Sequence, residues 1–77
     1  MTKLPLIAAR DMERLLLSIG FKRSRRRGSH IIYRHDDGRT ACVPDHGSRV
    51  LARPLLRSIL RDADITLDQY LDLLNEL

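Results

Sequence analysis

The chain has a single cysteine, Cys42, so no internal disulfide can staple it. That usage suits a reducing compartment. No apolar run approaches the roughly 20 residues of a membrane span. The opening stretch from Leu4 to Ala9 is broken by Pro5 and followed at once by Arg10 and Asp11, so it reads neither as a signal peptide nor as an anchor. No contact with a membrane is expected, and a cytoplasmic location is. Repeats, linkers and low-complexity tracts are missing as well. The 77 residues make one domain, 1–77. A chain this short buries only about 60% of the surface its unfolded form exposes. Its core supplies roughly 3–5 kcal/mol of net stability. That leaves no room for a deep cavity around a large cofactor, and none is expected. Any chemistry belongs on the surface or in a shallow groove.

Charge is present, but each sign is missing from one segment. Fourteen Lys and Arg stand against ten Asp and Glu, a net charge of +4. Residues 21–34 hold Lys22, Arg23, Arg25, Arg26, Arg27 and Arg34 with no acid among them. Residues 62–76 hold Asp62, Asp64, Asp68, Asp72 and Glu76 with no base. A basic block of this kind is the electrostatic footprint of a phosphate backbone. The acidic tail is expected to face away from it.

Hydrophobic periodicity gives the elements. Met12, Leu15, Leu16 and Ile19 fall at i, i+3, i+4, i+7, which predicts a helix from about Ala8 to Ile19, capped by Gly20. Leu17 lies off this stripe and is expected to touch a strand. Phe21 to Arg27 reads as a strand with Phe21 inward. Strand parity there separates Lys22 and Arg26 from Arg23, Arg25 and Arg27, so three or four of these cations share a face. His30 to Arg34 is β-branched and aromatic, a second strand. Asp37-Gly38 marks a hairpin, and Arg39 to Val43 returns as a third strand ended by Pro44. Asp45 to Ala52 is a loop. Pro54 opens a second helix with the stripe Leu56, Ile59, Leu60 and Ala63. Thr66 with Gln69 forms a capping box before a third helix, whose apolar face is Leu67, Tyr70, Leu71 and Leu74. The order is α-β-β-β-α-α. The fold class expected is α+β: a two-layer domain with helices on one face of a three-stranded antiparallel sheet. That order with a basic surface is similar to the double-stranded-RNA-binding domain.

Three histidines are candidates for chemistry. His30 opens the second strand beside the basic block. RNA cleavage needs the 2′-hydroxyl deprotonated and the leaving 5′-oxygen protonated, and imidazole can do either near neutral pH. Neighbouring arginines would stabilise the charge that develops on phosphorus. Gly28 would let an RNA backbone approach, and Ser29 offers a hydroxyl to a phosphate oxygen. A strand histidine that only binds phosphate or packs is the plainer alternative. His46 is a possible helper acid or base, or a loop residue that caps a turn. His35, beside Asp36 and Asp37, reads as solvated turn. Cys42, Asp45, His46 and His30 are ligand types, but their spacing matches no tight zinc pattern, and no metal is expected. Cys42 reads as a small buried hydrophobe.

These residues also carry a resemblance. Gly20-Phe21, the triplet Gly28-Ser29-His30 and the set Val43-Pro44-Asp45-His46 lie within the runs GFKRSRRRGSHIIYRHDDGR, VPDH and LLRSILRDADIT. Together they resemble the HicA (YcfA-like) toxins, from Leu4 to about Leu74. The resemblance implies the toxin half of a type II toxin–antitoxin pair, an endoribonuclease that cuts messenger RNA on a double-stranded-RNA-binding-like fold. It implies that His30 is the catalytic residue and that a HicB antitoxin covers the active surface. Lys22, Arg23, Arg25, Arg26, Arg27, Gly28, Ser29 and Arg34 would then meet RNA. One departure is visible: Pro54-Leu55 stands where many members have Gly-Thr before the second helix. The alternative is an RNA-binding module without catalysis. A third class is an interaction protein whose basic face docks an acidic partner.

Overall fold

Met12, Leu15 and Leu16 are wholly buried along one face of the first helix, α1, Ala9–Ser18. The computed structural model describes residues 4–77. No side chain caps the start of α1. Its first amides are taken by a loop instead: Ala9 N–H donates to the Arg49 carbonyl at 3.0 Å and Arg10 N–H to the Gly47 carbonyl at 2.9 Å. Donors that would otherwise be orphaned at a helix start therefore pin residues 47–49 in place. At the other end Gly20 takes φ +100°. Phe21 N–H returns to the Leu16 carbonyl and Gly20 N–H to the Leu17 carbonyl, a Schellman closure. Leu17, expected to touch a strand, is instead 44% exposed, because the inward stripe is already filled by Leu15 and Leu16.

Three antiparallel strands follow, β1 Lys22–Arg27, β2 His30–Arg34 and β3 Thr40–Pro44, in the sheet order β1-β2-β3. The sequence reading placed Phe21 and Arg39 inside strands, and both fall just outside. Pro44 is the last residue of β3, where its missing N–H costs little. Ile31 and Tyr33 of β2 and Ala41 and Val43 of β3 are buried under the helices. Cys42 alternates with the last two, so it points outward and is exposed, not buried as expected.

The chain returns through α2, Arg53–Asp62, and α3, Leu67–Asn75, to cover the same face as α1. The order α-β-β-β-α-α and the two-layer α+β class are those the sequence predicts. Leu56, Ile59 and Leu60 of α2 complete the core. The capping box at Thr66 and Gln69 forms, with both reciprocal bonds present. Tyr70 is the buried anchor of α3; its hydroxyl donates to the Pro5 carbonyl, and burial pushes its phenol up to about 12. The acids of the last helix thus lie in the helix layer. Among the described residues no helix is long and apolar enough to cross a membrane.

His35 is half-buried rather than solvated. Its ring meets Phe21 edge-on at 5.2 Å between centroids. Asp37 N–H donates to Nδ1, which leaves Nε2 to donate to the Ile19 carbonyl at 3.1 Å. A Cβ on Gly20 would come within 2.8 Å of that Nε2. The glycine therefore makes room for the ring as well as closing α1.

Glu13 ties both layers. Its carboxylate accepts two bonds from the Arg23 guanidinium, at 3.1 and 2.6 Å, and one from the Tyr33 hydroxyl at 2.6 Å. The Arg23 bond holds Glu13 below its ordinary carboxylate value despite partial burial. Burial, and then Glu13 itself, push the Tyr33 phenol upward.

Two measurements check these contacts. Glu13 has a lowered folded pKa, so its contribution is present above about pH 4.5 and is lost as pH falls through the folded value. Glu13→Gln should lower stability at pH 7 by about 1 kcal/mol, because Arg23 is solvent-screened. It should also flatten the acid limb of the denaturation curve below pH 4.5. An unchanged acid limb would refute the assignment. At the end of α2, Asp64 sits at φ 57° with a negative charge beside the helix C-terminus. Asp64→Gly should stabilise by about 0.5 kcal/mol, raising Tm by roughly 2–4 °C in a thermal melt, and Asp64→Ala should not.

Candidate functional site

Cross-strand partners in an antiparallel sheet share a face, so the pairing register sorts the basic block. Tyr33 pairs with Arg23 and Ile31 with Arg26, and both partners are buried on the helix side. Lys22 pairs with Arg34, Arg25 with Ile32, and Arg27 with His30. These five polar side chains share the open face. The register slips between Arg23 and Arg25, a β-bulge with Ser24 as the extra residue. That bulge overturns the expected grouping of Arg23 with Arg25 and Arg27.

The two cations on the helix side are already engaged. Arg23 holds Glu13. Arg26 Nη1 donates to the Asp45 carboxylate at 2.7 Å, and its Nε donates to the Gly28 carbonyl at 3.0 Å. Lys22, Arg25, Arg27 and Arg34 form no ion pair among the described residues. The structure thus divides the basic residues named from sequence into four that are available and two that are held internally.

Gly28-Ser29 is the two-residue turn between β1 and β2. Gly28 takes φ +60° and Ser29 does not take a positive φ, which is the type II′ pattern. A Cβ on Gly28 would meet nothing within 4 Å, so the residue is needed for its backbone angle. The turn delivers His30 to the first position of β2, exposed, between Arg27 on one side and Pro44 on the other. His46 lies two residues beyond Pro44 at the same end of the sheet, exposed, with its carbonyl accepting from Arg49 N–H. His30, Arg27, Ser29 and His46 are therefore gathered at one end, and Lys22 and Arg34 at the other.

From sequence Asp45 is weighed only as a metal ligand, and Glu13 is not singled out. Their roles as partners of Arg26 and Arg23 depend on the bulge, which no hydrophobic pattern marks in so polar a run.

No curated protein matches the chain. A family model described as the HicA toxin of bacterial toxin–antitoxin matches residues 9–65. That span runs from the first residue of α1, through all three strands, to Ile65 just beyond α2. It includes the turn, the open face and both histidines at its end. The chain belongs to the HicA toxin family of bacterial toxin–antitoxin systems.

Proposed function

We propose that this protein is an endoribonuclease, the toxin of its pair, which cleaves messenger RNA through His30 at the end of a cationic sheet face. The observation that carries this reading is the placement of Lys22, Arg25, Arg27 and Arg34 on the same open face as His30. Phosphates bound along that face bring the sugar–phosphate backbone to the imidazole. His30 accepts the 2′-hydroxyl proton as the 2′-oxygen bonds to phosphorus. The 5′-oxygen leaves and takes a proton from an acid, for which His46 is the candidate at the same sheet end. The products are a 2′,3′-cyclic phosphate and a 5′-hydroxyl, and the route requires no metal. Arg27, beside His30, stabilises the developing phosphorane charge. The Ser29 hydroxyl is a further phosphate contact. The partner is a HicB-like antitoxin that shields the same face. Both operate in the cytoplasm.

Purified protein and His30→Ala, incubated with a structured messenger RNA in EDTA, test the catalytic assignment. Only the unmutated protein should cut. Binding without cutting by both would make the domain an RNA-binding module. The face is tested separately with His30→Ala. Three or four phosphate contacts on a duplex predict a log Kd versus log salt slope of magnitude near 3, about 0.9 per phosphate. Arg25→Ala or Arg27→Ala should each reduce that slope by roughly one contact with circular dichroism unchanged. Arg23→Ala should leave it intact. A flat salt response sinks the reading.

A further inference from the structure

Two hydrogen bonds reach the carbonyls of the Gly28-Ser29 turn, and a third joins the residues that donate them. Arg26 stands on the helix side of the sheet, with Ile31 as its cross-strand partner. It bridges the Gly28 carbonyl and the Asp45 carboxylate. Asp45 in turn donates its own backbone N–H to the Ser29 carbonyl at 2.7 Å. Both carbonyls of the turn are therefore fixed by one cation and its acid.

A peptide group is planar and trans, so its N–H points opposite to its C=O. The Gly28 carbonyl is aimed at Arg26. The N–H of the same peptide, that of Ser29, is then aimed at the open face, where His30 projects. The turn type agrees, since the central peptide of a type II′ turn stands across the plane of the hairpin. Among the described residues the Ser29 N–H donates to no partner. It is a backbone donor held in orientation, next to the histidine, with nothing to donate to.

We propose that the Ser29 N–H binds a non-bridging phosphate oxygen beside His30, and that Arg26 and Asp45 are positioning residues that aim it. The proposal rests on the ribonuclease reading of His30. As the 2′-oxygen bonds to phosphorus and the 5′-oxygen departs, negative charge grows on the non-bridging oxygens. A donor fixed before the reaction stabilises that charge without reorganising. Arg26 therefore acts on turnover and not on the capture of RNA, although its place in the basic run suggests a backbone contact.

The experiment compares full-length protein with Arg26→Ala, Arg26→Lys and Asp45→Asn on an oligoribonucleotide. Arg26→Ala should lower kcat about 10- to 100-fold, the range for loss of one oxyanion donor or somewhat less. KM should stay within about twofold, since the contact belongs to the transition state. Arg26→Lys keeps a donor for the Gly28 carbonyl and should recover part of the loss. The two phosphorothioate diastereomers at the scissile phosphate should react at different rates with unmutated protein, and at nearly equal rates with Arg26→Ala. A raised KM with kcat intact, or an unaltered thio preference, overturns the proposal and makes Arg26 an RNA contact. The second arm needs no cleavage. A 2′-O-methyl oligoribonucleotide titrated into 15N-labelled His30→Ala should move the Ser29 amide resonance, and should not do so once Arg26 is also Ala. A Ser29 amide that stays still while other open-face amides move overturns the proposal. If the unmutated protein cuts no RNA, the ribonuclease reading falls and this arm alone decides the amide.

Discussion

β1 presents cations on both faces because one residue, Ser24, is inserted between Arg23 and Arg25 in its pairing with β2. Phe21 precedes the strand and is 1% exposed. Strict alternation from Phe21 would send Arg23, Arg25 and Arg27 all toward the helix layer, where unpaired charge is costly. The bulge reverses parity after Ser24. Arg25 and Arg27 then join Lys22 on the open face, while Arg23 stays on the other and Arg26 is turned toward it. Each of those two finds an acid, Glu13 on α1 and Asp45 beyond β3. The cationic face and the stapled turn are two consequences of one extra residue.

The two ends of the sheet are finished differently. At one end Gly20, Phe21, His35 and Arg39 interlock. The His35 ring lies against Phe21, the Arg39 guanidinium sits 5.2 Å over the same ring, and Arg39 also reaches the Ala63 carbonyl at the end of α2. That end is packed by aromatic and cation–π contacts and bound to the helix layer. At the other end the Gly28-Ser29 turn and the loop after Pro44 stay exposed. Their order comes from backbone bonds: Asp45 to Ser29, and the amides of α1 to residues 47 and 49. The chain thus packs aromatic side chains at one end and leaves polar backbone at the end where His30 and His46 lie.

Much of this was legible in the sequence where periodicity carries information. The stripes of α1 and α2, the Thr66 capping box and the Asp37-Gly38 hairpin follow from local patterns in the sequence. Cys42 was misread from composition, although the alternation of Ala41 and Val43 already points it outward. The site was legible in its residues but not in its faces. A run of Lys-Arg-Ser-Arg-Arg-Arg has no hydrophobic member to set parity. The one clue is the conflict between Phe21 upstream and Ile31 downstream, whose inward positions cannot both be met without an extra residue. His35 was hidden for another reason. Its partner Phe21 is distant in sequence, and the room for its ring comes from an absent side chain at Gly20.

The Arg26–Asp45 pair contributes little to stability. Its side chains are 58% and 38% exposed, and exposed pairs contribute about 0–1 kcal/mol. The core of α1, α2 and the buried sides of β2 and β3 holds the fold without it. Its consequence is orientation. Glycine at the first turn position makes the hairpin possible, and the same freedom leaves the peptide between Gly28 and Ser29 easy to rotate. A rotated peptide would point a carbonyl, not an N–H, toward the open face and repel a phosphate oxygen. The preference of Ser29 for negative φ resists that rotation by roughly 1–2 kcal/mol. A bond from Arg26 to the Gly28 carbonyl adds to the same resistance. Interactions too weak to determine whether the chain folds are strong enough to determine which way one peptide faces.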